Sequence, residues 1–285
     1  MELNNRYEFI MLFDVENGNP NGDPDAGNMP RVDAETSIGI VTDVCFKRKI
    51  RNYVEAVQEG KAGYNILIKN DRALNTKYAE AYENCELKTK QKRKDQSAVV
   101  KARDYICKNY FDVRTFGAVM STGDDPCGIV RGPVQINFAR SIDPVLPQEI
   151  TITRQALTTE KDKAKSENTM GKKSFIPYGL YRAEGYVSAM LANKTGFSEE
   201  DLELLWESIE NMFEIDHSAA RGKMSMQKLY VFKHDSVLGN APSHLLFDKI
   251  TVARKDNVEV ARKFSDYIIT VDSNMPEGVE LIEKL

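Results

Sequence analysis

The chain has 285 residues, of which 41% are hydrophobic and 29% charged, and its formal net charge is −4. These values are typical of a folded protein with a large core, and they exclude an intrinsically disordered chain. The sequence has no apolar run long enough to cross a bilayer and no signal-peptide pattern at its start, which predicts a soluble cytoplasmic protein without membrane contact.

The first part of the chain predicts a strand, a loop and a helix. Residues 7–15 carry apolar side chains on both faces, as a central strand does. Residues 17–30 contain four Asn, three Gly and three Pro, which predicts a long exposed loop. Residues 37–60 predict a helix with a second, basic face. Its predicted apolar stripe is Val41, Val44, Cys45, Val54 and Val57, and its basic face is Lys47, Arg48 and Arg51.

The middle of the chain predicts short strands around a helical excursion. A short strand at 64–69 precedes residues 71–109, whose pattern is helical, polar and basic. Strands are predicted at 113–120, 134–140 and 149–155. Residues 158–174 are polar and rich in lysine, with Met170 as the one large apolar residue, which predicts a mobile loop.

The last third contains the strongest local pattern, a helix at 199–213. Ser198 is placed to cap it, Asp201 completes a capping box, and Phe197 can pack on Leu202. Its apolar stripe is Leu202, Leu205, Trp206, Ile209, Met212 and Phe213.

Three further segments, 226–234, 250–254 and 267–271, predict strands that return to the sheet. The order strand, helix, strand, strand, helix, strand predicts an α+β fold, a single RRM-like (ferredoxin-like) body over residues 1–285.

Charge is distributed unevenly along the chain. Residues 88–114 contain nine Lys and Arg against three Asp, whereas residues 198–216 contain eight acids and no base. We expect the first region to attract phosphate and the second to repel it or to meet a basic neighbour. Solvated surface is the alternative explanation for both.

No motif for catalysis, metal or cofactor binding stands out. The four cysteines are scattered, which indicates small buried or half-buried side chains, and the three histidines lack metal spacing. Phosphate-binding loops, nucleophile elbows and dinucleotide fingerprints are missing. The sequence therefore predicts no catalytic residue, no metal and no cofactor.

Several weak signals together favour binding of single-stranded RNA. Such binding needs cations spaced along a phosphate backbone, open backbone near glycines, and an apolar wedge that meets bases without reading them. An RRM-like sheet also commonly presents such a surface. The candidate RNA-binding residues are Asn19, Asn21, Arg31, Lys47, Arg48, Arg51, Met170, Lys172, Lys173, Arg221 and Lys223.

Four ordered segments carry a resemblance to a known family. They are FDVENGNPNGDPDAGNMPR with the basic helix after it, FIPYGLYRAEGYV, DHSAARGKMS and YVFKHDSVLGNAPSHLLFDKI. Together they resemble the backbone subunits of type I-C CRISPR Cascade complexes, members of the RAMP superfamily, from about residue 7 to residue 271.

The resemblance implies a non-catalytic protein with an RRM-like palm, helical fingers at 71–109 and a thumb loop at 156–176. Met170 would be the wedge of the thumb, Lys172 and Lys173 its phosphate contacts, and the basic helix would hold the guide. The implied partners are CRISPR RNA, target DNA through the guide, further copies head to tail, and the large, small and guide-processing subunits.

Two other functions stay open. Some relatives in the superfamily cut RNA with a loop aspartate, and Asp23 and Asp33 lie in the corresponding neighbourhood. The other alternative is a protein-interaction module whose basic patches are only solvated surface.

Overall fold

The computed structural model describes residues 1–89, 95–154 and 169–285. In chain order its strands are β1 (Tyr7–Gly18), β2 (Gly22–Asp23), β3 (Met29–Pro30), β4 (Ile38–Val41), β5 (Gly117–Met120), β6 (Gly128–Arg131), β7 (Val134–Ile136), β8 (Ala139–Pro144), β9 (Gln148–Arg154), β10 (Thr169–Val187), β11 (Lys223–His234), β12 (Ile250–Arg254), β13 (Tyr267–Val271) and β14 (Val279–Glu283). Its α-helices are α1 (Asp43–Val57), α2 (Leu74–Asn84), α3 (Gln96–Asn109), α4 (Phe111–Phe116), α5 (Ala189–Thr195), α6 (Glu199–Asn211) and α7 (Ser243–Phe247).

A large antiparallel sheet organises the molecule. Its spatial order is β14-β11-β1-β10-β8-β4, and β7 and β9 also pair with β10. The predicted central strand is confirmed, because β1 lies between β10 and β11 and is buried on both faces. The fold is a mixed architecture of helices and a sheet. Helix α1 follows β1 in the chain and α6 lies between β10 and β11, and both helices pack over the middle of the sheet.

The two faces of the sheet are both covered. On one face, Phe9, Met11 and Phe13 of β1 pack with α1 and α6. On the other face, Ile10 and Leu12 pack beneath α7 and the β12–β13 hairpin. The expectation of a sheet face open to RNA is therefore wrong: the C-terminal segment buries it.

The C-terminal strands also pair differently from the prediction. β12 and β13 form a two-stranded sheet of their own instead of returning to the large one. The additional strand of the large sheet is β14, paired with the second half of β11, which the sequence did not reveal.

A third core belongs to the helical excursion. Tyr78 and Tyr82 of α2, Ile106 of α3 and Met120 of β5 are buried together with Cys127 before β6. The helices predicted at 71–109 are thus present as α2 and α3, and their core extends to the β5–β6 hairpin. Positions 90–94, which hold four of the predicted cations, lie outside the described residues.

Several predicted boundaries are wrong. Residues 38–41 form β4, so α1 begins at Asp43, and Val44 and Val57 are exposed while Phe46 and Ile50 fill the core. Residues 64–69 form no regular strand, and the strand predicted from 113 begins at Gly117 because α4 precedes it. In each case a pairing or packing partner distant in sequence decides the local conformation.

The predicted loop at 17–30 is correct only in part. β1 continues to Gly18, Asn19 and Pro20 are buried, and β2 and β3 form a short hairpin. Turn residues do dominate the exposed tip at 24–28.

The mobile loop predicted at 158–174 is wrong for its last part. Residues 169–174 begin β10 and pair with β9 as a two-stranded ribbon. Such a strand is difficult to recognise in the sequence, because its side chains are mostly polar and neither face of a solvated ribbon packs on the core. The remainder of that prediction, positions 158–168, lies outside the described residues.

The helix predicted at 199–213 is confirmed as α6. The Ser198 hydroxyl accepts a hydrogen bond from the Asp201 amide at 3.2 Å, and the Asp201 carboxylate accepts one from the Ser198 amide at 3.0 Å. Every member of the predicted apolar stripe is buried.

A buried polar group anchors the start of β1 to the end of β11. The Glu8 carboxylate, fully buried, lies 2.6 Å from His234 Nε2 and accepts a hydrogen bond from the Ser243 hydroxyl at 2.8 Å. Burial favours the neutral acid, but hydrogen bonds from His234 and Ser243 and the charge of Arg6 lower the pKa of Glu8 below its ordinary 4.5.

The lowered pKa of Glu8 makes folding stability depend on pH. The carboxylate stabilises the fold above its unfolded pKa, and this stabilisation is lost as pH falls below it. We expect Glu8→Gln to lower the free energy of unfolding at neutral pH by about 1–3 kcal/mol and to flatten its decline in acid. Urea titrations across pH measure both effects; Glu277→Gln, at an exposed position, is the control. An unchanged acid profile in Glu8→Gln would contradict the assignment.

Candidate nucleic-acid interface

Five of the predicted RNA-binding residues meet where β1 ends and β11 begins. The Asn19 amide donates to the Ala220 carbonyl at 2.9 Å, and the Arg31 amide donates to the Asn21 carbonyl at 3.2 Å. These bonds join the loop after β1, the segment after β3 and the loop before β11. Cys45, Lys49 and Asp216 lie beside this group, although the sequence did not identify them as site residues. We call the whole set the strand-end cluster: Asn19, Asn21, Arg31, Cys45, Lys49, Asp216, Arg221 and Lys223.

Two glycines allow the backbones in the cluster to approach each other. A Cβ at Gly18 would overlap the Arg221 carbonyl oxygen, and one at Gly222 would overlap the carbonyl oxygens of Glu16 and Asn17. Gly222 also has a φ of +63°, which L residues with side chains rarely adopt. The glycine between Arg221 and Lys223 is thus required by a close crossing of two chain segments.

The two asparagines have different roles in the cluster. Asn21 Oδ1 accepts hydrogen bonds from the amide and hydroxyl of Thr42, at 3.0 and 2.9 Å, which ties the loop to the start of α1. Asn19 donates from Nδ2 to the Asn28 carbonyl at 2.7 Å. Within the described part of the chain, buried Asn19 Oδ1 and Arg31 Nε lack hydrogen-bond partners, so the cluster keeps unused polar groups.

The unpredicted residues form an ion-pair network behind Arg221. Lys49, 2% exposed, and Arg221 both pair with Oδ2 of Asp216, the Arg221 Nε at 2.7 Å. Cys45 lies against the Pro20 carbonyl at 3.6 Å, and burial raises the pKa of its thiol. In the sequence Lys49 lies between Arg48 and Arg51 of the predicted basic face, and no local pattern distinguishes it from them.

The predicted basic face of α1 is mostly neutralised. Lys47 pairs with Asp43 at 2.7 Å and Arg51 with buried Asp112 at 2.8 Å. Both cations also lie over the Phe116 ring, at 5.8 and 5.3 Å from its centroid. Arg48 is exposed and forms no ion pair with any described residue, so it keeps the most freedom to meet phosphate.

The β9–β10 ribbon separates the residues predicted to act together. Met170 is opposite Thr153 and Lys172 opposite Thr151, so these two share one face. Lys173 is opposite Ile150 and lies on the other face. Met170 is 70% exposed, as a wedge requires, whereas Lys172 pairs with Glu149 at 2.7 Å.

The two aspartates considered for RNA cleavage are engaged in local turns. Asp33 accepts hydrogen bonds from the amides of Glu35 and Thr36, at 3.0 and 3.2 Å, and these bonds lower the pKa of its carboxyl. Asp23 caps a 3₁₀ turn by accepting from the Asp25 amide at 3.1 Å and pairs with Arg31 at 3.4 Å. Over residues 1–89, 95–154 and 169–285, no group of three or more His, Cys, Asp or Glu is placed to hold a metal ion.

The remaining predictions on single residues are mostly confirmed. Cys107 and Cys127 are buried and Cys45 and Cys85 half-buried, all as free thiols. His234 is a buried, hydrogen-bonded residue, whereas His217 and His244 are exposed. No helix in the described ranges has the length and hydropathy needed to span a bilayer.

Comparison with known proteins gives concordant matches. Residues 5–272 match the family described as CRISPR-associated protein Cas7. A Haloferax volcanii protein named CRISPR-associated protein Cas7 is 26% identical over 302 residues, which cover 99% of this chain and 84% of that protein. A chain in a solved "CRISPR RNA-guided surveillance complex, pre-nicking" shares the fold at a TM-score of 0.50 and 14% identity, covering 80% of this chain and 78% of that one.

Proposed function

Because this chain belongs to the Cas7 family of CRISPR-associated proteins, we propose that it is a non-catalytic backbone subunit of a type I-C Cascade complex. In this role it polymerises along CRISPR RNA and presents the guide for pairing with target DNA. The assignment to type I-C rests on the four ordered segments of the sequence that resemble that subtype.

The strand-end cluster is the observation that carries the proposal. It brings Arg31, Arg221 and Lys223 together around Asn19, whose buried Oδ1 has no hydrogen-bond partner among the described residues, although these residues come from three separate segments. Such a surface contacts phosphate and ribose and leaves base edges free. Sequence-blind binding is what a subunit serving any guide requires, because base pairing supplies the specificity.

The parts of the fold support a division into palm, fingers and thumb. In this proposal the large sheet with α1 and α6 is the RRM-like palm, and α2 and α3 with their own core are the fingers at 71–109. The β9–β10 ribbon, with exposed Met170, is the proposed base of the thumb at 156–176. Positions 156–168 of the thumb lie outside the described residues.

Further copies of the chain, stacked head to tail, are the proposed neighbours along the guide. Contacts between unlike surfaces generate an open filament when the rotation between neighbours does not close a ring. The large, small and guide-processing subunits of the complex are the other proposed partners.

Purification from bacteria tests RNA coating directly. We expect the protein to elute with a raised absorbance at 260 nm that RNase and high salt remove, because phosphate contacts weaken steeply with salt. Electron microscopy with and without RNA should then show filaments only with RNA. A nucleotide-free protein with no affinity for single strands in dilute buffer would overturn the proposal and favour the protein-interaction module.

The RNA-cleaving alternative has a separate test. Asp33 and Asp23 hold their own turns in the structure, which supports a non-catalytic role. We expect no products when the assembled complex is incubated with complementary RNA and magnesium. Products at regular intervals that Asp33→Asn abolishes would establish cleavage instead.

A further inference from the structure

The strand-end cluster contains a carboxylate where an RNA-binding surface should avoid one. Asp216 is 11% exposed and lies among Lys49, Arg221 and the neighbouring Arg31. A negative charge at this place weakens attraction for phosphate if it acts through its field alone. Its contacts indicate another role.

Asp216 uses a single oxygen to hold two cations of different kinds. Oδ2 accepts a hydrogen bond from the buried ammonium of Lys49 and forms an ion pair with Nε of Arg221 at 2.7 Å. The Lys49 ammonium also lies 5.6 Å from the centroid of the Phe213 ring, directly after the end of α6. Lys49 therefore has almost no freedom to reach RNA, and it fixes Asp216 in place.

Arg221 is held at three points. Its Nε forms an ion pair with Asp216 at 2.7 Å, NH1 donates to the Ser218 hydroxyl at 3.0 Å, and the backbone amide donates to the Ser218 carbonyl at 3.2 Å. The NH2 group has no partner among the described residues, and the side chain is 38% exposed. A guanidinium fixed in this way loses less conformational entropy when it binds an anion.

We propose that Lys49 and Asp216 are positioning residues that orient the Arg221 guanidinium toward an RNA phosphate. This inference rests on the proposed RNA-binding function. Lys49 contributes through Asp216 and Asp216 through Arg221; neither contacts RNA. The two opposite charges cancel, so the pair adds no net charge near the surface and acts mainly through geometry.

The double variant Lys49→Met/Asp216→Ala tests the inference because its net charge equals that of the wild type. If Lys49 and Asp216 affect RNA only through their net charge, the double variant should bind a fluorescein-labelled oligouridylate as tightly as wild type. If they position Arg221, the double variant should bind it about tenfold more weakly, which is the effect of losing one charge-assisted hydrogen bond. The salt dependence should decrease by about one phosphate contact. Introducing Arg221→Gln should reproduce the loss, and combining all three changes should add nothing further.

Two matched variants complete the experiment. Glu214→Ala removes an exposed carboxylate of the same loop that has no ion pair in the described part of the chain, and it should leave binding unchanged or slightly tighter. Ser218→Ala should weaken binding less than the double variant, without disturbing buried charges. If wild type binds and the folded double variant binds equally well, the inference is wrong. If wild type itself fails to bind the oligonucleotide, the proposed function falls as well.

Discussion

Replacing Arg114 with alanine is expected to lower the free energy of unfolding by about 3–5 kcal/mol, because it leaves a buried carboxylate without its cation. Arg114 is bound in bidentate geometry by Asp201, with Nε and NH2 at 2.9 and 2.7 Å from the two carboxylate oxygens. The two side chains are 7% and 2% exposed. Both charges are therefore largely removed from solvent in the folded protein.

The expected loss is large because the pair connects several elements. The guanidinium also donates to the Gly63 carbonyl and lies 5.1 and 5.4 Å from the ring centroids of Tyr64 and Phe111. Asp201 belongs to the capping box of α6. Lysine at 114 should restore little, since it lacks the planar fork that meets both carboxylate oxygens.

Chemical denaturation measures this change. Arg103→Ala is the matched control, because Arg103 is 39% exposed and, among the described residues, forms an ion pair only with its neighbour Asp104, at 3.3 Å. We expect that variant to stay within about 0.5 kcal/mol of wild type. Equal stabilities of the two variants would show that the buried pair does not hold α4 to α6.

Removing the three cations Arg31, Arg221 and Lys223 together is expected to weaken binding of single-stranded RNA about a hundredfold at moderate salt, because the proposed function gives each of them a phosphate contact. The logarithmic salt slope should fall by about 2, at about 0.7 for each phosphate of a single strand. Lys223 is 74% exposed and only loosely paired with Glu16 at 3.8 Å, so its alanine variant should fold normally.

A control triple variant separates local contact from overall charge. Lys69, Arg72 and Arg103 are exposed cations before α2 and on α3, each paired with an acid at the surface. Their joint replacement by alanine removes the same charge. Fluorescence anisotropy across salt concentrations should show a small loss for this control. Equal losses in the two triple variants would mean that binding depends on net charge and not on the strand-end cluster.

Local signals in the sequence predicted α6 and β1 well. The capping box of Ser198 and Asp201 and the apolar stripe of α6 depend on neighbours within one or two turns. β1 was evident because both of its faces are apolar, which only a central strand tolerates.

Elements decided by distant partners were predicted poorly. Residues 38–41 look like the first turn of a helix, yet β4 pairs with β8 about a hundred residues later in the chain. Residues 169–174 have the sequence pattern of a loop, because neither face of the β9–β10 ribbon packs against a hydrophobic core. The pairing of β14 with β11 had no local signal at all.

The candidate site shows the same limit. Asn19, Arg31 and Arg221 were recognised from residue type and nearby glycines, but their proximity depends on the crossing of two loops. The neutralisation of Lys47 by Asp43 was predictable from their spacing of four, whereas the pairing of Arg51 with Asp112 was not.

The position of β1 has a consequence for synthesis on the ribosome. Tyr7 leaves the exit tunnel long before its two partners, Val187 on one side and Lys233 on the other. A long stretch of chain must therefore be translated before this strongly apolar strand gains either neighbour. During that interval it is exposed to aggregation, so we expect the yield of the native subunit to depend on chaperones that hold nascent chains.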